Sequence, residues 1–290
     1  MEGNRDFVTG RRLLAVFAHP DDETFGAGGT LALYARRGVE VHLVCATRGE
    51  VGEAPPDLKG FPTVGAMRES ELRCAAGILG LAGVHFLGYR DSGMPGSPDN
   101  AHPKAFAAAP LEETARATAG FFRQLRPQVV VTFDPIGGYR HPDHIAAHRA
   151  TVEAFRLAAD PACILGDAEP YQSQKLYYHT FPHGFLRWGV RLLRLFGRDP
   201  SHFGKNRDID LAALVNVDYP IHAKIDIRPV LEIKQKASAC HSSQGGGAMA
   251  SSQRWLARIV GGSESFTRAY PLPPPSRLER DLFAGVDEGR

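Results

Sequence analysis

The sequence predicts an α/β fold: a Rossmann-like, mostly parallel sheet with helices on both faces and an active site at the C-terminal ends of the strands. Three observations carry this. Short runs rich in Val, Leu and Ile alternate with segments of helical period through the first half of the chain. These runs are apolar at nearly every position rather than at alternate ones, as strands buried on both faces are. Two of them, LLAVFA and VVVTF, lead within a few residues into clusters of His and Asp: HPDDE at 19–23 and HPDH at 141–144. Open parallel sheets build their sites in that place, outside the carboxyl ends of their strands.

The elements follow in order. RLLAVFA (12–18) reads as a strand and GTLALYARRG (29–38) as a helix closed by Gly38. VEVHLVCAT (39–47) is the next strand, AMRESELRCAAGILG (66–80) a helix and VHFLG (84–88) a short strand. LEETARATAGFFRQLRP is a helix stopped before Pro127, VVVTF (129–133) a strand and HPDHIAAHRATVEAFRLAA (141–159) a further helix. The loops at 47–65 and 88–110 are longer than a compact domain ordinarily tolerates, so they read as walls of the substrate site. Residues 181–207 interleave Phe, Trp and Leu with Arg. They fit a helix packed on the body or on a second subunit, which makes a homo-oligomer one expectation, and they also fit a lid over the site. Residues 271–290, with PLPPPSRLERDLFAG, read as an extended tail. There is no internal repeat; the length fits one large domain or a domain with an elaboration, and residues 1–290 are expected to form one domain.

Composition narrows the function classes. With 290 residues, 43% of them apolar, the chain can bury a sizeable core. A net charge of +2 from balanced acids and bases gives no footprint for nucleic acid or a membrane surface. Cys45, Cys74, Cys163 and Cys240 lie far apart without a CxxC pair, which favours reduced, buried thiols in a cytoplasmic protein. The apolar run in RRLLAVFA is too short for a signal segment or a membrane span.

The His and Asp clusters carry the chemistry. Imidazole and carboxylate are usual ligands of Zn²⁺, and a catalytic site keeps three of them plus an open position. His19 and Asp22 on one loop and a histidine of HPDH on the other supply such a set, leaving Asp21 beside the metal as a candidate general base. Spacing leaves the third ligand open, because His144 and His148 share a helix face and His141 is a neighbour of His144. Each cluster taken singly also fits an ordinary helix start: Asp at an N-cap, or Pro at the first helical position followed by Asp. Two such clusters at the ends of two strands of one sheet are harder to read as caps. The glycines of FGAGGT do not make a dinucleotide-binding turn, since the sixth position from Gly26 is Leu31. HExxH, GxSxG and Walker patterns are absent.

AHPDDE (18–23) and HPDH (141–144) resemble the two signatures of the LmbE-like, or PIG-L, metal-dependent deacetylases. MRESEL (67–72), GYRDSGM (88–94), KQKASACHSSQ (234–244) and DLFAG (281–285) extend the likeness over nearly the whole chain. GYRDSGM and the overall length look most like the branch acting on mycothiol precursors or conjugates. The resemblance implies Zn²⁺ held by His19, Asp22 and His144, with Asp21 as general base; three ligands and one open position describe a single ion per chain, and Fe²⁺ can substitute, since selectivity depends on metal supply as well as geometry. It implies that His141 carries the oxyanion or protonates the leaving amine, that Asp143 orients His141, and that Tyr139 reaches the tetrahedral intermediate. It also assigns Arg68 and Asp91 to the sugar and leaves His148 as a packed or solvated histidine. The pattern departs at Arg140, where the family more often has glycine. The implied reaction removes an N-acetyl group from an N-acetylglucosaminyl small molecule, releasing acetate and an amine. An amidase of a thiol–sugar conjugate at the same centre, a sugar-binding module without catalysis and a nucleotide-dependent oxidoreductase are the alternatives, the last disfavoured by the failed glycine pattern.

Overall fold

Alternate residues of the first strand show how the sheet is covered. In a computed structural model of the chain, β1 (Arg12–Phe17) sends Leu13, Ala15 and Phe17 into one apolar cluster and Leu14 and Val16 into another. Both faces are therefore packed, which is why the run shows no polar alternation. The structure describes residues 10–58, 60–180, 183–196, 199, 217, 219–246, 262–273 and 278–287, with 183–188 described by their backbone alone. The other strands are β2 (Glu40–Thr47), β3 (Gly83–Tyr89), β4 (Val129–Phe133), β5 (Lys175–Thr180), β6 (Ala223–Asp226) and β7 (Ser263–Tyr270). They form one sheet in the order β3-β2-β1-β4-β5-β7-β6. The first five are parallel, while β7 runs antiparallel to β5 and β6 antiparallel to β7.

The helices are α1 (Asp22–Phe25), α2 (Gly28–Arg36), α3 (Val64–Leu79), α4 (Leu111–Leu125), α5 (Gly137–Arg140), α6 (Pro142–Ala159), α7 (His183–Leu195) and α8 (Leu231–Cys240). Leu31, Leu72, Leu79 and Ala237, from α2, α3 and α8, pack one face of the sheet, and Ala119, Phe122, Ala154 and Phe155, from α4 and α6, pack the other. Gly29 lets α2 approach closely, because a Cβ there would sit 2.6 Å from the Ile227 side chain. Thr63 caps α3 by accepting from the Ala66 amide, and Gly80 closes it in the left-handed conformation at φ 79°.

Strand order reverses at β1. From it the chain passes outward to β2 and β3, then returns to place β4 on the opposite side. Pairing of Leu13 with Val129 and of Ala15 with Val131 brings the ends of β1 and β4 level, with the Phe17 and Phe133 rings 5.0 Å apart. The loops carrying HPDDE and HPDH thus leave adjacent strands at the switch point, where a crevice forms.

Two expectations are corrected. Cys74 on α3 and Cys240 at the end of α8 form a disulfide, so only Cys45 and Cys163 are the buried free thiols expected of all four. A sequence separation of 166 hid the pair, because only the packing of α3 against α8 makes the two neighbours. The described part of 271–290 is not a loose extension. Leu282 and Phe283 are fully buried, and Tyr34 donates to the Asp281 carboxylate while accepting from the Leu282 amide. The apolar pair in DLFAG fills space that the sheet and α2 leave uncovered. Of residues 181–207, where a lid or interface was expected, 183–196 and 199 are described and include the helix α7, and the rest lies outside the described residues. Among the described residues no helix is long and apolar enough to cross a membrane.

Candidate active site

His19 follows β1 by two residues, and its ring is held from one side. Its Nε2 lies 3.1 Å from the Asp143 carboxylate and 3.5 Å from that of Asp91. With Nε2–H donating there, Nδ1 is the free lone pair. His144, in the first turn of α6, is fixed in the mirror sense: Nδ1 lies 3.1 Å from the Gly137 carbonyl, leaving Nε2 free. Gly137 makes this possible, because its φ is +64° and a Cβ there would lie 2.7 Å from the His144 Cβ. The two free nitrogens are 3.3 Å apart.

Asp22 completes the set. One carboxylate oxygen is 3.2 Å from His144 Nε2 and the other 3.5 Å from His19 Nδ1. Tetrahedral ligands at metal distances of roughly 2.0–2.2 Å stand about 3.3–3.6 Å from one another. The two ring nitrogens have that spacing, and each lies within 3.5 Å of a different oxygen of the Asp22 carboxylate. Two further three-donor groupings share His19: one with His141 and His144, the other with Asp91 and Asp143. In the latter the contacts run through Nε2, which is already committed to carboxylates.

Electrostatics favour a positive charge at this centre. Burial alone lowers the proton affinity of His19, yet Asp91, Asp143 and Asp22 together hold it well above the imidazole range. Burial raises the Asp22 carboxyl, but His144 and His19 more than reverse this and hold it well below its usual range. Two imidazole nitrogens and a carboxylate in a field that favours positive charge are a donor set that fits a divalent metal.

Asp21 stands beside the donors in a strained backbone, with φ at 122°. It occupies the N-cap position of α1 but makes no side-chain cap bond, so the ordinary cap reading fails for HPDD. Its carboxylate instead accepts from Arg68 at 3.1 Å. Burial pushes the Asp21 carboxyl up to about 6, with Arg68 pulling the other way. In HPDH the cap reading does hold, through a different atom. His141 is the N-cap, its Nδ1 accepting from the Asp143 amide at 3.2 Å, and Pro142 sits in the first turn. Burial, then His19 and His144, hold His141 far below the ordinary imidazole range. Tyr139 is close, with its ring centroid 4.9 Å from that of His144 and 6.0 Å from that of His141. Burial raises its hydroxyl. Arg140, the departure from the family pattern, takes a left-handed φ of 70° and is exposed.

All nine singled-out residues therefore gather in one crevice, but three have partners other than those expected. The Asp143 carboxylate reaches His19, the Ser92 amide and hydroxyl and the Ala107 amide; only its main chain touches His141. Arg68 donates to the Gly49 and Pro20 carbonyls as well as to Asp21, and is 4% exposed. Asp91 accepts from the Gly93 and Val51 amides, so both long loops brace the carboxylate that lies beside the His19 ring. His148 packs apart, bonding the Phe133 carbonyl at 2.9 Å with its ring 4.7 Å from that of Tyr178. Two residues received no role from the sequence. Glu23 and His241 are both fully buried and bonded to each other at 2.7 Å. The one available signal was that both lie in the quoted stretches AHPDDE and KQKASACHSSQ.

Residues 14–155 match the PIG-L family model, described as GlcNAc-PI de-N-acetylase. A protein of Thermobifida fusca named 1D-myo-inositol 2-acetamido-2-deoxy-alpha-D-glucopyranoside deacetylase is 38% identical, covering 94% of this chain and 99% of its own. The chain belongs to the PIG-L family. A protein of the same name from Thermomonospora curvata is 42% identical over 81% of each chain. Among solved structures, the N,N'-diacetylchitobiose deacetylase of Pyrococcus horikoshii has a TM-score of 0.62 at 22% identity, covering 91% of this chain and 86% of that one. At that identity the likeness shows a shared fold, and within the PIG-L family the crevice described above is the part that bears on chemistry.

Proposed function

We propose that this PIG-L family member is a metal-dependent N-deacetylase that hydrolyses the acetamide of an N-acetylglucosaminyl small molecule, with an inositol glycoside as the first candidate. The observation that carries the reading is the convergence of His19 Nδ1, His144 Nε2 and the Asp22 carboxylate at metal-ligand spacing, with Asp21 alongside. The names of the relatives support the substrate class. His19, Asp22 and His144 would hold the ion; Zn²⁺ suits two imidazoles and a carboxylate, and Fe²⁺ can replace it when supply favours iron. A bound ion would activate water and polarise the acetyl carbonyl.

The remaining steps belong to the chain. Asp21, next to the donor set and oriented by Arg68, takes the proton of the attacking water. His141, whose Nδ1 is tied to the main chain, presents Nε2–H to stabilise the developing oxyanion, and it can protonate the departing amine only by relaying a proton it first receives, the one Asp21 takes from water being the available source. Tyr139 lies close enough to His141 and His144 to reach the same intermediate.

Protein prepared without added metal should contain about one equivalent of zinc or iron per chain and lose activity on chelation. Acetate release should be fastest from an N-acetylglucosaminyl inositol, compared with free N-acetylglucosamine, a malate glycoside, a thiol conjugate and an acetyl-lysine peptide. Preference for the peptide, or full activity in metal-free protein, would sink the proposal.

A further inference from the structure

Asp21 is held in an unfavourable backbone conformation, and something must hold it there. Its amide donates to Glu23 Oε2 at 2.9 Å, a contact that fixes the turn between β1 and α1. The other Glu23 oxygen is engaged by His241 Nε2 at 2.7 Å, and neither side chain is exposed. The His241 ring nitrogen Nδ1 has no partner among the described residues, so Glu23 is the ring's one polar anchor. On its carboxylate side Asp21 is held by Arg68.

Both supports trace to one helix. Arg68, Glu71 and Cys74 recur every three residues along α3 and so share a face. Arg68 holds Asp21. Glu71 accepts from the Ser242 hydroxyl and from the Ser243 amide and hydroxyl, just after His241. Cys74 is bonded to Cys240, just before His241. His241 is thus pinned on both flanks to the helix that carries Arg68. Cys74 is exposed and Cys240 half-buried, so the disulfide lies where a reductant can reach it.

We propose that Glu23 and His241 are positioning residues that hold Asp21 in its working geometry, and that the Cys74–Cys240 disulfide locks His241 and makes this clamp sensitive to reduction. This rests on the reading of Asp21 as the base. A dithiol reductant supplies two electrons and two protons: the S–S bond breaks, both cysteines become thiols, and the reductant closes its own disulfide. Glu71 then remains as the tether of this segment to α3, His241 gains freedom, and the Glu23 support of the Asp21 amide loosens. Misplacing a catalytic group by about 1 Å costs roughly a hundredfold in rate, so partial loosening should cost several-fold.

The test pairs turnover with hydrogen exchange at the Asp21 amide, read by NMR on the metal-loaded full chain. Glu23→Ala should lower amide protection at least tenfold and kcat by roughly ten- to a hundredfold, with KM and metal content unchanged. Glu23→Gln should restore most of both, since its carbonyl accepts from Asp21 and its amide group can donate to His241. Oxidised wild-type protein treated with a dithiol should lose protection and several-fold in kcat. Cys74→Ser, altered at an exposed position, should start at the reduced level and not respond, which also controls for chelation by the dithiol. Unchanged Asp21 protection in Glu23→Ala would overturn the clamp, and unchanged protection on reduction would overturn its redox tie. Lost protection with unaltered kcat, or activity lost together with metal, would overturn the positioning role. If wild type releases no acetate from any amino sugar, the deacetylase reading falls, and the exchange data still decide whether the clamp exists.

Discussion

His144 and His148 are one helical turn apart on α6, and only one faces the centre. Replacing His144 with Ala removes a donor 3.3 Å from His19 and should empty the site of metal and activity together. Asp21→Asn keeps the shape and should retain metal while kcat falls by roughly two to four orders of magnitude. His148→Ala should retain both metal and most activity, because its bond is to the Phe133 carbonyl. Metal content measured beside rate separates these outcomes; metal lost from His148→Ala and kept in His144→Ala would reverse the ligand assignment. At this scale the sequence was most legible for residues whose type states their chemistry: His19, Asp21, Asp22 and the HPDH pair. It was least legible where a carboxylate must choose among partners. Nothing in HPDH says that Asp143 reaches across to β1 and holds His19, and nothing in AHPDDE says that Glu23 faces a histidine 218 residues away.

The parallel strands β1, β2 and β4 were readable because burial on both faces leaves a nearly unbroken apolar run, whereas β6 and β7 were not. β7, SESFTRAY, carries buried Glu264, Thr267 and Arg268, whose partners lie on other elements. Glu264 accepts from the Gly29 and Thr30 amides at the start of α2 and from Lys234 of α8, so this strand is polar by sequence and interior by packing. Between β2 and β3 a histidine pair yields a testable effect. His42 Nδ1 and His85 Nε2 are 3.4 Å apart, and burial lowers both below the ordinary imidazole range. A group whose folded pKa is depressed contributes stability above its unfolded pKa, near 6.5 for His, and loses it as pH falls through the folded value. The pair should therefore lower the melting temperature between pH 7.5 and pH 5 relative to His85→Gln, whose drop should be smaller. An equal drop in both proteins would remove the pair from the account.

Across the whole molecule, residues 278–287 join parts that are distant in sequence. Glu279 accepts from Lys175 at 2.9 Å, from Arg268 at 2.6 Å and from the Tyr177 hydroxyl, all four side chains being buried. Glu279→Ala would leave two buried cations without a counter-charge and should cost about 3–5 kcal/mol, read as a lower urea midpoint. A change under about 1 kcal/mol would show the cluster to be solvated in practice. The proline-rich approach at 271–275 suggested a tail because composition reports local stiffness, while the burial of Leu282 and Phe283 depends on a cavity that only the assembled sheet provides.

That docking also orders events at the ribosome. Tyr34 meets Asp281 across 247 residues. At about 5–20 residues per second, roughly 12–50 seconds separate the emergence of the two. For that interval β1, β2 and α2 are available, but the apolar surface awaiting Leu282 and Phe283 stays open to other chains. A nascent chain stalled before residue 278 would carry HPDDE, HPDH and the Cys74–Cys240 pair, yet lack the plug that closes its core. Such a chain should be a client for a chaperone rather than a slow enzyme.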